Sequence, residues 1–215
     1  MADIRRILQR EPKDLRERPV AGRRFAKKYL FDADLRGVDG SDAVFDEAML
    51  EGARFDGATL SGASFRHAHL AHAKLRDCDL ANAVFLHERH SARPDHTCNY
   101  SQFSRSTLDG ADLSRAPLTY AVFEGVSARG AVFDRAVMVA AQMQGADLTG
   151  ASFAFTDLSR ARLEGADLRG ADLRFADLSG ANLTDAIADE STIWRGTRFN
   201  QRTRWLDGGR RRPPL

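Results

Sequence analysis

All six histidines of this 215-residue chain lie between residues 67 and 96: His67, His69, His72, His87, His90 and His96. Cys98 follows closely. Imidazoles joined by a carboxylate make a ligand set suited to iron, copper or zinc, depending on geometry. The candidate metal set is Glu47, His67, His69 and His87, with His90, His96 or Cys98 able to close over it. No spacing here matches a standard zinc signature. The segment His87-Glu88-Arg89-His90 holds its histidines three apart, whereas the HExxH helix needs i, i+4. The bland alternative is a polar or pH-responsive surface. Nucleophilic catalysis has less support: there is no G-x-S-x-G elbow, no glycine-rich phosphate loop and no activating motif around either cysteine. No catalytic residue is assigned.

Whatever these side chains do, a repeat must position them. The runs Ala166-Asp167-Leu168-Arg169-Gly170, Ala171-Asp172-Leu173-Arg174-Phe175 and Ala176-Asp177-Leu178-Ser179-Gly180 share one five-residue pattern. That period fits neither a 3.6-residue helix nor a two-residue strand, so the chain reads as a repeat architecture. Large residues occupy the centres from Leu35 to Phe85 and again from Leu108 to Ile193, with Ala two positions before most of them. One large and one small inward residue per five describe a narrow packed tube. Gly40, at a centre, predicts a loosely packed first coil. Phe45, Phe65 and Phe85 recur every 20 residues, so four sides make one coil and the rings stack along one wall. Coils spaced like neighbouring strands, about 4.8 Å apart, then give about seven turns of the tube. His87 falls one coil above His67 and Glu47 one coil below it, a ladder of about 5 Å per step.

The repeat A(D/N)LXX resembles that of the pentapeptide-repeat family, over about three quarters of the chain. The resemblance implies an all-β solenoid, a right-handed quadrilateral β-helix. Three parts follow: a basic N-terminal cap (1–30), the β-helix (31–194) and a basic aromatic C-terminal cap and tail (195–215). The caps are expected to be short helical or irregular pieces, with Ile4, Ile7 and Leu8 covering the first coil. Trp194, Phe199 and Trp205 would cap the other end or form a homodimer contact. The 23-residue step from Phe85 to Leu108 requires an inserted loop near 86–102.

The net charge of +2 conceals segregation: residues 31–194 carry 15 basic and 25 acidic groups. Members of the quinolone-resistance type resemble B-DNA in shape and charge and protect DNA gyrase, a type II topoisomerase, from poisons. That resemblance implies a DNA-mimicking binding module conferring drug or self-resistance. It would present Asp167, Asp172 and Asp177 to a basic groove, with His87, Glu88, Arg89 and His90 touching the enzyme from the loop. This reading requires no cofactor. The alternative is a metal-dependent enzyme or metal-binding protein using the histidines. No apolar run approaches a membrane span, and two cysteines without a signal-peptide core point to the cytoplasm. Cys78, in an Ala position, reads as buried packing.

Overall fold

The computed structural model describes residues 14–85 and 98–205. Within them the chain winds through isolated parallel bridges, each linking a residue to its equivalent one coil on. The bridges form four columns and hence four walls. Wall 1 presents Arg24, Val44, Ser64, Val84, Asp112, Val132, Ser152, Asp172 and Ile193 outward. Wall 2 presents Tyr29, Met49 and His69, then Pro117, Val137, Asp157, Asp177 and Arg198. Wall 3 runs from Asp14 through Lys74 and Gln102 to Arg204, and wall 4 from Asp39 through Asp79, Asp147 and Asp167 to Ile187. The ladder therefore extends beyond both expected limits, 31 and 194. No helix occurs among the described residues, and the segment expected to carry the helical cap lies mostly outside them. None of the described structure could cross a membrane as a helix.

The interior follows from the repeat. Phe25, Phe45, Phe65 and Phe85 stack at centroid separations of 5.1, 5.0 and 4.8 Å along wall 1. Ala fills the space beside each large residue, because a wider side chain would push the walls apart. Where Ser or Thr replaces that Ala, its buried hydroxyl donates to a main-chain carbonyl. Ser101 reaches Leu70 at 2.8 Å and Thr156 reaches Phe133 at 2.7 Å, so neither hydroxyl is stranded. Gly40 leaves no gap, contrary to expectation. A Cβ there would lie 2.8 Å from Leu60 Cδ2 and 3.4 Å from Val20 Cγ1, so neighbouring side chains already occupy the space.

Each corner is a tight turn. The centre's carbonyl accepts from the N–H three residues on, as Phe45 does from Ala48 at 3.0 Å. Except at the turns Arg16–Glu17, Glu190–Ser191 and Gln201–Arg202, the second corner residue has positive φ, as in a type II turn. Its N–H typically donates to the next coil, as Glu47 does to Arg66 O at 2.8 Å.

Three interruptions alter the register, the last between Arg198 and Arg204, where Asn182 pairs with Arg204 at an offset of 22. Lys74 pairs with Gln102 and Asp79 with Thr107, an offset of 28 instead of 20. The coil resumes at Cys98, earlier than the expected 102, and Phe103 is a centre that stacks on Phe123 at 4.8 Å. Near the C-terminus Asp172 pairs with Ile193, an offset of 21. The extra residue turns Ile193 outward, 43% exposed, and makes Trp194 the buried centre. Trp194 and Phe199 both pack edge-on against Trp205, at 6.1 and 5.1 Å.

Candidate functional surfaces

Four walls and four corners give the outward side chains fixed addresses. The described members of the histidine set do not converge. Glu47 and His67 both occupy the corner between walls 1 and 2, with φ of 56° and 54°. The Glu47 carboxylate, however, lies 3.4 Å from Lys27 Nζ. His69 is on the adjoining wall 2, its Nδ1 3.8 Å from Glu51 Oε1. His72 stacks on Tyr100 at 5.2 Å, one corner further round. Among the described residues no group of three or more His, Cys, Asp or Glu is arranged to hold a metal ion. Cys98 is a buried core residue, and therefore not a loop ligand. His87, Glu88, Arg89, His90 and His96 lie outside the described residues. Cys78 is buried, donates its thiol to Phe55 O at 3.0 Å, and burial pushes its pKa up to about 12.

The three aspartates expected to form one acidic surface are also separated. Each repeat advances the chain by one wall, so Asp167 sits on wall 4, Asp172 on wall 1 and Asp177 on wall 2. Asp167 and Asp172 are bound by Arg169 and Arg174 at 2.5 and 2.6 Å, and Asp177 lies 3.8 Å from Arg198. The hydrogen bonds from Arg169 hold the Asp167 carboxyl below its ordinary range. Partial burial pushes Asp172 upward, but hydrogen bonds from Arg174 outweigh it and the carboxyl ends low. Nor is the rod strongly negative once its true limits are used. The described residues carry 23 Lys and Arg against 25 Asp and Glu, because the end coils are basic.

What the fold does concentrate is chemistry by wall. The outward column of wall 4 holds Asp39, Asp79, Asp147 and Asp167 and no Lys or Arg. The opposite side gathers the exposed apolar side chains, although its column also holds Asp157, Asp177 and Arg198. Of the eight exposed large hydrophobic residues among the described residues, six belong to wall 2 or its two corners: Tyr29, Val137, Tyr100, Tyr120, Phe155 and Phe175. Tyr100 and Tyr120 stack at 5.1 Å, and Phe155 and Phe175 at 4.9 Å. The interruption between Phe85 and Cys98 falls between wall 1 and wall 2, so the chain leaves the coil beside this same surface. The aromatic pairs were missed in the sequence, although their 20-residue spacing was a readable signal.

Eight copies of a family model described as pentapeptide repeats match residues 29–62, 63–87, 98–133, 118–153 and 146–185. No curated protein matches the chain. Among solved structures it is similar to HetL from the cyanobacterium Nostoc, a pentapeptide-repeat protein involved in the regulation of heterocyst differentiation. That match has 28% identity, covers 86% of this chain and 77% of HetL, and has a TM-score of 0.55. It is also similar to QnrB1, a plasmid-mediated fluoroquinolone resistance protein, at 20% identity over 85% of each chain with a TM-score of 0.41. The repeat that builds the four walls places this chain in the pentapeptide-repeat family, whose members fold as right-handed quadrilateral β-helices.

Proposed function

We propose that this chain is a binding module whose acidic wall engages the basic DNA-binding groove of a type II topoisomerase. The observation that carries this reading is the wall 4 column, whose outward positions hold four aspartates and no Lys or Arg. Among the described residues Asp39 and Asp79 form no ion pair, whereas Asp167 is held by Arg169 at 2.5 Å and Asp147 lies 4.0 Å from Arg129, both arginines standing at the corners. Such a column offers negative potential along the rod axis, as a groove that accepts a duplex requires. The face differs from the set Asp167, Asp172 and Asp177: only Asp167 belongs to it. A regulatory role exerted by binding also agrees with the part HetL takes in differentiation control.

The test is DNA gyrase supercoiling in the presence of a fluoroquinolone, with wild type, Asp79→Lys/Asp147→Lys and the wall 1 control Ser152→Lys. Protection by wild type and by the control, with at least a roughly tenfold loss in the double variant, is the expected result. Absence of protection by wild type would remove the topoisomerase from the proposal.

A further inference from the structure

The corner between walls 1 and 2 carries Arg115, Arg135, Phe155 and Phe175 in successive coils, with Val137 beside them on wall 2. Arg135 Cζ lies 5.3 Å above the Phe155 ring, and Phe155 stacks on Phe175 at an interplanar angle of 15°. Phe175 in turn lies against Gly196. A Cβ at Gly196 would sit 2.5 Å from Phe175 Cδ1, so only glycine leaves room for that ring. The rings nevertheless remain about half exposed, 54% for Phe155 and 45% for Phe175.

The two arginines are unlike most of those nearby. Arg105, Arg129, Arg169 and Arg174 each hold a carboxylate at 2.5–2.7 Å. Among the described residues Arg115 and Arg135 form no ion pair, and they stand one coil apart. Two neighbouring guanidiniums without a counter-ion repel each other and retain most of their donor N–H groups. An incoming carboxylate relieves that repulsion and accepts bidentate hydrogen bonds. Two exposed rings immediately beyond them supply an apolar anchor site, the combination found at the centre of protein interfaces.

We propose that this strip, from Arg115 to Phe175 with Val137 at its side, docks an acidic peptide segment of a partner protein that also carries aromatic or aliphatic side chains. The carboxylates sit at the arginines and the apolar side chains on the phenylalanines. Against nucleic acid as the occupant stands the strip itself. It offers two guanidiniums one coil apart, with Asp157 and Asp177 following on wall 2, too little unbroken positive charge to track a phosphate backbone. The site is distinct from wall 4 and stands independently of the topoisomerase reading.

The experiment uses fluorescence anisotropy on the full chain with three labelled peptide pools. One alternates Asp or Glu with Phe, Leu or Tyr; the second replaces its acids by Lys; the third replaces its apolar residues by Ser. The first pool should bind saturably and the other two at least about tenfold more weakly, which is about 1.4 kcal/mol. Arg115→Glu/Arg135→Glu and Phe155→Ser/Phe175→Ser should each cost a similar factor. Asp79→Lys/Asp147→Lys on wall 4 should leave binding unchanged, which separates this site from the topoisomerase surface. All the strip residues replaced lie on the outside of the coil, and circular dichroism melts confirm that the variants keep their fold. The proposal is overturned by absent binding of the acidic pool, by preference for the basic pool, or by indifference to the strip variants. It is equally overturned if a single-stranded oligonucleotide or a second copy of the chain, detected by sedimentation, occupies the strip in place of the acidic peptide.

Discussion

Walls 2 and 4 lie on opposite sides of one core and differ most sharply at their corners. Thirty-two of the described corners place one residue at positive φ, where a non-glycine residue costs roughly 1 kcal/mol or more. On the two corners that bound wall 4, 11 of 16 such positions are glycine, and four of the other five are Asp or Asn. On the two that bound wall 2, only 3 of 16 are glycine, and the rest include Arg115, Arg135, Phe155, Phe175, Tyr100 and Tyr120. The chain thus accepts backbone strain along one side to keep large side chains there and avoids it along the other. Strain of this kind is the expectation at a binding surface, and it is on this side that the proposed docking strip lies. Wall 4 instead presents its charge from the unstrained middle of each side.

The harshest way to break that contrast is to remove what both walls share. Phe65 is fully buried and stacked between Phe45 at 5.0 Å and Phe85 at 4.8 Å. Phe65→Ala should cost about 3–5 kcal/mol in chemical denaturation, because the lost ring leaves a cavity that neighbouring coils cannot close. Solenoid coils are stabilised by their nearest neighbours, so the loss should spread to both walls together. Retention of wild-type stability would mean that the stacked column is not what holds the walls in register.

A second pair of substitutions sharpens the contrast at the corners. Gly150, on a corner of wall 4, has φ of +66°, and a methyl group added there would meet nothing within 4 Å. Gly196, on a corner of wall 2, has φ of +71° and the Phe175 ring in the way. Gly150→Ala should cost only the backbone strain, about 1 kcal/mol. Gly196→Ala should cost more, because the Phe175 ring must also leave Phe155. Urea denaturation midpoints compare the two, and equal losses would show that Gly196 plays no part in building the aromatic ladder.

The contrast between walls was only partly legible in the sequence. The five-residue period and the 20-residue recurrence of Phe45, Phe65 and Phe85 disclosed the tube and its ring stack, because core packing repeats strictly. Read along the chain, Asp167, Asp172 and Asp177 look like neighbours, but a quarter turn per repeat sends them to three walls. The single extra residue near Asp189–Ser191 is invisible in hydrophobicity, since Ile193 and Trp194 are both apolar, yet it decides which of them is buried. Cys98, Ser101 and Ser106 replace the usual Leu and Ala, which hid the early return to the coil. The histidine cluster was real in the sequence, but the described residues distribute it between a corner, a wall and a further corner.

The smallest expected effects have opposite signs on the two sides. On wall 4 the Asp167 carboxyl is held below its ordinary range by hydrogen bonds from Arg169. Its stabilising contribution is complete above the unfolded value, about pH 4, and is lost as pH falls through the lower folded value. Beside wall 2, burial pushes the Glu51 carboxyl up, and its Oε2 is buried without a hydrogen-bond partner. Glu51 binds its proton more tightly in the fold than in the unfolded chain. Its favourable contribution is therefore present below the unfolded value, about 4.3, and is lost as pH rises through the folded one. At neutral pH Asp167→Asn should destabilise and Glu51→Gln should stabilise, each by less than about 1 kcal/mol at these partly exposed positions. Thermal melts from about pH 3 to 7 read both signs. Asp167→Asn should flatten the acid limb, whereas Glu51→Gln should raise the neutral end. Two variants shifting in the same direction at neutral pH would show that the two sides do not differ electrostatically in the way their side-chain partners require.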